Sequence, residues 1–220
     1  MKRNRPYNAV ILTGLLLTGL HLAPARAQST NTSQSGGQTS SASTSEATRS
    51  QLMPSVNRMM DKLKTMRLSG DPDFDYVFLM RTHHLSEIEL AQEAAKSMQN
   101  SAMKQMAQAM ISRKQKEVDQ LESALKQIRP SRANQAFVQA QNQKLEAMKL
   151  NLQEGTLAGK LTGKLDTDYA TIMLEHQRDA IDITQDYLQH GQNQALRSLA
   201  QQILANAQSD SEQLKTLMKQ

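Results

Sequence analysis

An internal repeat is the feature of this 220-residue chain that most limits its fold. Residues 73–126 align with residues 166–219 without a gap, at an offset of 93, and 16 of the 54 aligned positions are identical by direct count. Chance would give only a few identities. The opening segments match most closely, with DFDYVFLMRTHH in the first copy and DTDYATIMLEHQ in the second. The two copies should therefore share one fold.

Each copy has the residue spacing of a helical hairpin. Apolar residues recur at three- and four-residue steps, and the pattern breaks once in each copy, at residues 99–101 and at Gly191. No segment shows the sustained two-residue alternation of a half-buried strand. One hairpin cannot cover its own apolar faces, so the two hairpins should pack together. The sequence predicts an all-α fold, a ferritin-like four-helix bundle built from two duplicated helical hairpins.

One or two accessory helices are expected beside the bundle, in a domain that spans residues 51–220. Pro54 suits the first turn of one accessory helix, which Gly70 would end, and residues 133–152 form the other. Asp73 is a candidate N-cap for the first helix of the first hairpin.

The first 50 residues differ from the rest of the chain. Residues 1–27 have a basic start, an apolar run too short to span a bilayer and an Ala-Arg-Ala cleavage site, which together indicate a secretory signal. Residues 28–50 are rich in Ser, Thr and Gln, which predicts a disordered linker.

Cleavage of the signal would change the charge of the chain. The formal net charge is +5, and four basic residues lie in the signal, so 22 basic and 21 acidic residues remain in the mature chain. This near-neutral balance gives no reason to expect a nucleic acid partner. We predict a periplasmic or secreted protein that is not stably inserted in the membrane after cleavage.

Composition and motifs exclude several function classes. The chain has no cysteine, which excludes disulfides, thiolate metal sites and thiol nucleophiles. Phosphate-binding loops, zinc-protease and serine-hydrolase motifs are absent, and so is the Glu-x-x-His pair of di-iron bundles. Glu87 and Glu89 are interpreted as solvated charges. We therefore predict that the protein is not an enzyme.

The repeat places a methionine and a histidine at equivalent positions in its two copies. Met80 and His83 match Met173 and His176, and His84 adds a second imidazole in the first copy. In each copy the two residues are three positions apart, on one mostly apolar helix face. Structural histidines within the core would explain these positions, and so would a metal site. Thioether with imidazole is the ligand set expected for copper, above all Cu(I).

The segment GDPDFDYVFLMRTHHLSEIELA resembles the signature of an exported, ferritin-like family, domain of unknown function 305. The shared features are an Asp-rich helix start, a Met-x-x-His-His core and a duplicated hairpin, and the resemblance covers roughly residues 53–220. Members include a cyanobacterial periplasmic copper-binding protein implicated in copper resistance. The resemblance implies a four-helix bundle with copper bound by Met80, His83, His84, Met173 and His176. The chain departs from the family pattern at Gln177, where a second histidine is expected, and at Leu90 and Ile183, where methionine is expected.

Two functions follow from these observations. The first is an exported periplasmic metal-binding protein that sequesters copper, with Cu(I) favoured, or confers copper resistance without turnover. The second is a non-catalytic helical adaptor of the envelope or of a stress response, in which the histidines are structural. A metal ion is the expected partner in the first case, and a homo-oligomer or an envelope protein partner stays open in both.

Overall fold

The computed structural model describes residues 38–129 and 133–219, and all of their regular structure is helical. Within these ranges the helices are α1 (Gln38–Thr65), α2 (Pro72–Ala95), α3 (Ser101–Leu125), α4 (Gln135–Leu152), α5 (Glu154–Ala158), α6 (Leu165–His190) and α7 (Gln194–Leu217). The predicted all-α bundle is confirmed. The predicted signal, residues 1–27, lies outside the described residues.

The four-helix core consists of the two hairpins of the repeat. Helices α2 and α3 form the first hairpin, and α6 and α7 form the second. Helix α2 packs against α6, and α3 packs against α7, so the four helices enclose a common core. Helices α1 and α4 are accessory and pack on α2 and α6, respectively. The short α5 adds a third accessory helix to the one or two expected. None of the described helices is long and apolar enough to cross a membrane.

The same loop precedes α2 and α6. Asp75 and Asp168, at equivalent positions of the repeat, each accept hydrogen bonds from the backbone N–H groups five and six residues earlier. Gly70 and Gly163 have φ angles of 89° and 82° in these loops. Side chains are strained in this left-handed region, which accounts for glycine at both positions.

Two further aspartates tie the hairpins to each other. Asp73, at the start of α2, accepts hydrogen bonds from backbone N–H groups of residues 192–193, in the turn of the second hairpin. Asp166, at the start of α6, accepts them from residues 99–100, in the turn of the first hairpin. Because the two contacts are reciprocal, the hairpins are related by an approximate two-fold axis.

The N-cap of α2 is Asp71, with Pro72 as the first helical residue, so the sequence-based assignment to Asp73 was wrong. The Asp71 side chain accepts hydrogen bonds from the backbone N–H groups of Asp73 and Phe74. The Asp73 side chain cannot cap its own helix because it binds the turn of the other hairpin.

Helix α1 begins earlier than the sequence predicts. It extends into the segment 28–50, and Pro54 lies inside the helix rather than in its first turn. Tertiary contacts overcome the polar composition, because Thr48 is buried and its hydroxyl donates a hydrogen bond to the carbonyl of Gly163 at 3.1 Å. The apolar residues that follow also enter the core, including Leu52 and Val56.

Candidate metal centre

The two histidines that the repeat places at equivalent positions meet inside the bundle. His83 lies on α2 and His176 on α6, with 3.3 Å between Nε2 of His83 and Nδ1 of His176. The ring centroids are 4.9 Å apart, and the side chains are at most 1% exposed. Residues related by an approximate two-fold axis can touch only where they lie beside that axis. Each copy therefore contributes one imidazole to a common position.

The repeated methionines lie one helical turn before these histidines. Met80 and Met173 are completely buried in the core. Residues three positions apart on a helix are neighbours on the same face. Each copy thus places a thioether on the helix face that carries its imidazole.

Glu87 binds the imidazoles of the first copy. Its Oε2 lies 2.8 Å from Nδ1 of His84 and 3.4 Å from Nδ1 of His83. Its Oε1 accepts a hydrogen bond from Gln177 at 2.5 Å. A proton on Nδ1 of His83 would face this carboxylate, which leaves the lone pair on Nε2 directed at His176. Ligand atoms of His83, His84 and Glu87 lie within 4.8 Å of one another, close enough to hold a metal ion.

Two charged residues of α3 extend the buried cluster. Lys114 Nζ lies 3.2 Å from Glu87 Oε2 and 3.8 Å from Glu117 Oε2. Glu117 Oε2 is also 2.9 Å from His84 Nε2, although the two atoms lack hydrogen-bond alignment. Asn206 of α7 donates a hydrogen bond to Glu117 Oε1 at 2.6 Å.

Burial controls the ionisation of the site. It lowers the pKa of His83, and it lowers the pKa of His176 to about 3. Both imidazoles are therefore neutral near pH 7, as metal ligands must be. Desolvation alone would raise the pKa values of Glu87 and Glu117, but nearby charges and hydrogen bonds, with Lys114 among them, outweigh it and lower both. Both carboxylates are therefore ionised.

The charged side chains come almost entirely from the first copy. In the second copy, Gln177, Ala180 and Ala207 stand at the positions of His84, Glu87 and Lys114. Asp210 is equivalent to Glu117, but it pairs with Arg113 instead of facing the histidines. The site therefore has symmetric imidazoles in an asymmetric electrostatic environment.

The residues that the sequence singled out divide into the predicted ligands and the departures from the family pattern. His83, His84 and His176 come together in one cluster, and Met80 and Met173 are buried on its helices. Gln177 serves as a hydrogen-bond donor to Glu87. Leu90 and Ile183, at the positions where the resemblance implies methionine, are packed in the apolar core.

Sequence reasoning missed three charged members of the cluster. The interpretation of Glu87 as a solvated charge was wrong, since the side chain is 1% exposed, and Lys114 and Glu117 are equally buried. The available signal was spacing. Lys114 and Glu117 continue the three- and four-residue steps of Met103, Met106 and Met110 on the buried face of α3.

A family model supports the resemblance noted in the sequence. The crystal structure of a DUF305 fragment from Deinococcus radiodurans is similar at 15% sequence identity and a TM-score of 0.49, and the match covers 67% of this chain and 95% of that one. No curated protein matches. The family model described as Domain of unknown function (DUF305) matches residues 22–125 and again residues 126–218. With both halves of the repeat matched, the chain belongs to the DUF305 family.

Proposed function

We propose that this protein is an exported metal-binding protein that sequesters copper as Cu(I) between its two repeat copies. The observation that carries the proposal is the convergence of His83 Nε2 and His176 Nδ1 at 3.3 Å. Two nitrogen ligands bound at about 2.0 Å to a tetrahedral ion are also about 3.3 Å apart. The imidazoles therefore have the separation that a shared ion requires.

The chemistry of the donor set supports copper. Met80 and Met173 supply soft thioethers beside the two imidazoles, and soft sulfur ligands favour Cu(I). Glu87 acts on this reading as the carboxylate that orients His84 through a hydrogen bond at Nδ1, a common role beside metal-bound histidine, and it also faces Nδ1 of His83 at 3.4 Å. Copper bound there would be held as cargo, without turnover.

One ring nitrogen of His176 has no hydrogen-bond partner among the described residues. That nitrogen is Nε2, and it is buried. A buried polar atom without a partner costs free energy, so core histidines are normally satisfied by hydrogen bonds. The hydrogen bonds of the described residues therefore satisfy only one ring nitrogen of His176, the Nδ1 atom that faces His83.

The expected compartment follows from the sequence. The predicted secretory signal would deliver the mature chain to the periplasm or outside the cell. Because each predicted ligand side chain is at most 1% exposed, bound copper would be shielded from solvent. Shielding supports sequestration, since a buried ion cannot readily react with other cell components.

The proposal is tested by anaerobic titration of the purified mature protein with Cu(I) in the presence of a chromophoric chelator. We expect the wild-type protein to remove one Cu(I) per chain from the chelator. The double variant His83→Ala/His176→Ala should remove none. His190→Ala is a matched control, because His190 also lies on α6 but contacts the backbone of Asp186 and not the cluster. The copper proposal fails if the wild-type protein takes up no copper, or if the double variant binds as well as the control.

A further inference from the structure

The buried cluster beside the two histidines has one more negative charge than fixed positive charges. Glu87 and Glu117 supply two carboxylates, and Lys114 supplies one ammonium group, with each side chain only 1% exposed. A net charge in the interior is costly unless it is compensated. Both ring nitrogens of His84 face these carboxylates, with Nδ1 2.8 Å from Glu87 Oε2 and Nε2 2.9 Å from Glu117 Oε2. The ammonium group of Lys114 lies 3.2 Å from Glu87 Oε2, and such a fixed positive charge repels a divalent ion twice as strongly as it repels a monovalent ion at the same position.

Lys114 affects the cluster through its charge rather than through hydrogen bonds. Its Nζ lies 3.2 Å from Glu87 Oε2 and 3.8 Å from Glu117 Oε2, yet it makes no aligned hydrogen bond within the described residues. Burial is the main cause of the lowered pKa values of His83 and His176, and the charge of Lys114 lowers both further. The field of this single ammonium group therefore reaches the imidazoles of both copies.

The repeat shows that the lysine is not required by the hairpin fold. Ala207 occupies the equivalent position in the second copy and is also buried. Burying a lysine is expensive, so its presence in only one copy indicates a role specific to the site.

We infer that Lys114 is a specificity-determining residue, whose fixed positive charge makes the site between His83 and His176 select a monovalent over a divalent metal ion. This inference rests on the proposed function. Lys114 acts from beside the ligands and need not touch the ion, so it is a positioning and charge-setting residue.

The first test compares Cu(I) and Zn(II) affinities of the wild-type protein and Lys114→Gln, each measured by competition with a chromophoric chelator. Removal of one positive charge makes the cluster more negative by one unit. A divalent ion gains twice as much from this change as a monovalent ion does. We expect the ratio of Zn(II) to Cu(I) affinity to rise by about tenfold or more.

Two further variants separate charge from shape. Lys114→Gln/Glu117→Gln restores the wild-type charge and should return the affinity ratio to within about threefold of the wild-type value. Glu117→Gln alone changes the charge in the opposite direction and should favour Cu(I) more strongly than the wild-type protein does. Circular dichroism checks that each variant is folded. If Lys114→Gln does not fold, the Glu117→Gln variant still tests the inference, because it retains the ion pair between Lys114 and Glu87.

The outcomes distinguish this inference from the proposed function. Absence of Cu(I) binding by the wild-type protein contradicts the proposed function. If Cu(I) binds normally but the ratio of Zn(II) to Cu(I) affinity is the same in the wild-type protein and in the Lys114 and Glu117 variants, only the inference is contradicted. The inference is also wrong if the charge-restored double variant behaves like Lys114→Gln, since the lysine would then act through its shape.

Discussion

The two copies of the repeat agree where they build the bundle and differ where they surround its centre. Asp75 and Asp168 stabilise equivalent loops, and His83 meets its own counterpart, His176. The charged side chains around these histidines come instead from one copy, whereas the other offers Ala180 and Ala207 at the matching positions. The difference teaches that the repeat accounts for a symmetric pair of imidazoles, whereas the buried charges around them belong to one copy.

The strongest way to disturb the asymmetry is to remove Glu87. Glu87→Ala would leave Lys114 with a weaker counter-charge in the interior and would remove the hydrogen-bond acceptor of Gln177. We expect a loss of about 3–5 kcal/mol in the free energy of unfolding, measured by urea denaturation. Glu89→Ala is the control, because Glu89 forms an exposed ion pair with Arg58 and should cost at most about 1 kcal/mol. Equal losses in the two variants would contradict the buried charge cluster.

The reciprocal aspartates allow a symmetric comparison. Asp73→Ala removes the acceptor for the turn at 192–193 and for the hydroxyl of Tyr187, which donates at 2.7 Å. Asp166→Ala removes only the acceptor for the turn at 99–100. We expect losses in unfolding free energy of about 2 kcal/mol and about 1 kcal/mol, respectively. The reverse order would contradict the additional stabilisation that the hydrogen bond from Tyr187 gives to Asp73.

Acid should destabilise the protein through His176. The native pKa is about 3 because the ring is buried, while the unfolded chain binds the proton near the ordinary value of 6.5. The unfolded state therefore binds more protons between these values, and stability falls as the pH drops below about 6.5. For each pH unit below about 6.5, the His176→Gln variant should lose about 1 kcal/mol less unfolding free energy than the wild-type protein does. Urea denaturation at pH 7.5, 5.5 and 4.5 measures the effect, and an unchanged pH dependence would contradict a neutral buried imidazole.

Asp179 should cause a smaller pH dependence of stability than His176 does, and one of opposite sign. Burial raises its pKa to about 7, so the unfolded state loses its proton first and stability falls as the pH rises from about 3.8 to about 7. Ser86 is the equivalent residue of the first copy, and it donates a hydrogen bond to the carbonyl of Ser55. Asp179→Ser should therefore increase stability at pH 8, by an amount on the order of 1 kcal/mol, and the gain should disappear near pH 4. A loss of stability at pH 8 would contradict this assignment.

The repeat allowed much of the fold to be predicted from the sequence. It indicated two hairpins and placed His83 and His176 at equivalent positions. For the two histidines to meet, they had only to lie near the approximate two-fold axis that relates the hairpins. The buried charges were harder to predict. Lysine and glutamate are almost always exposed, and this general tendency outweighed the spacing that placed Lys114 and Glu117 on the buried face of α3.

Local sequence also failed where tertiary contacts decide the structure. Asp71 and Asp73 are both reasonable N-caps, and the choice depends on the distant turn that binds Asp73. The start of α1 was missed for the same reason. The Ser- and Thr-rich composition predicts disorder, but Thr48 packs against the loop at Gly163, more than one hundred residues away in sequence.

The central claim is that the two copies share one metal ion, and the Cu(I) stoichiometry of single histidine variants tests it most directly. The wild-type protein should bind one Cu(I) per chain with high affinity under anaerobic competition. His83→Ala and His176→Ala should each lose that ion completely, because each copy supplies an indispensable half of the site. Two bound ions in the wild-type protein, or retention of binding in either single variant, would show that the copies bind metal independently and would contradict the shared site.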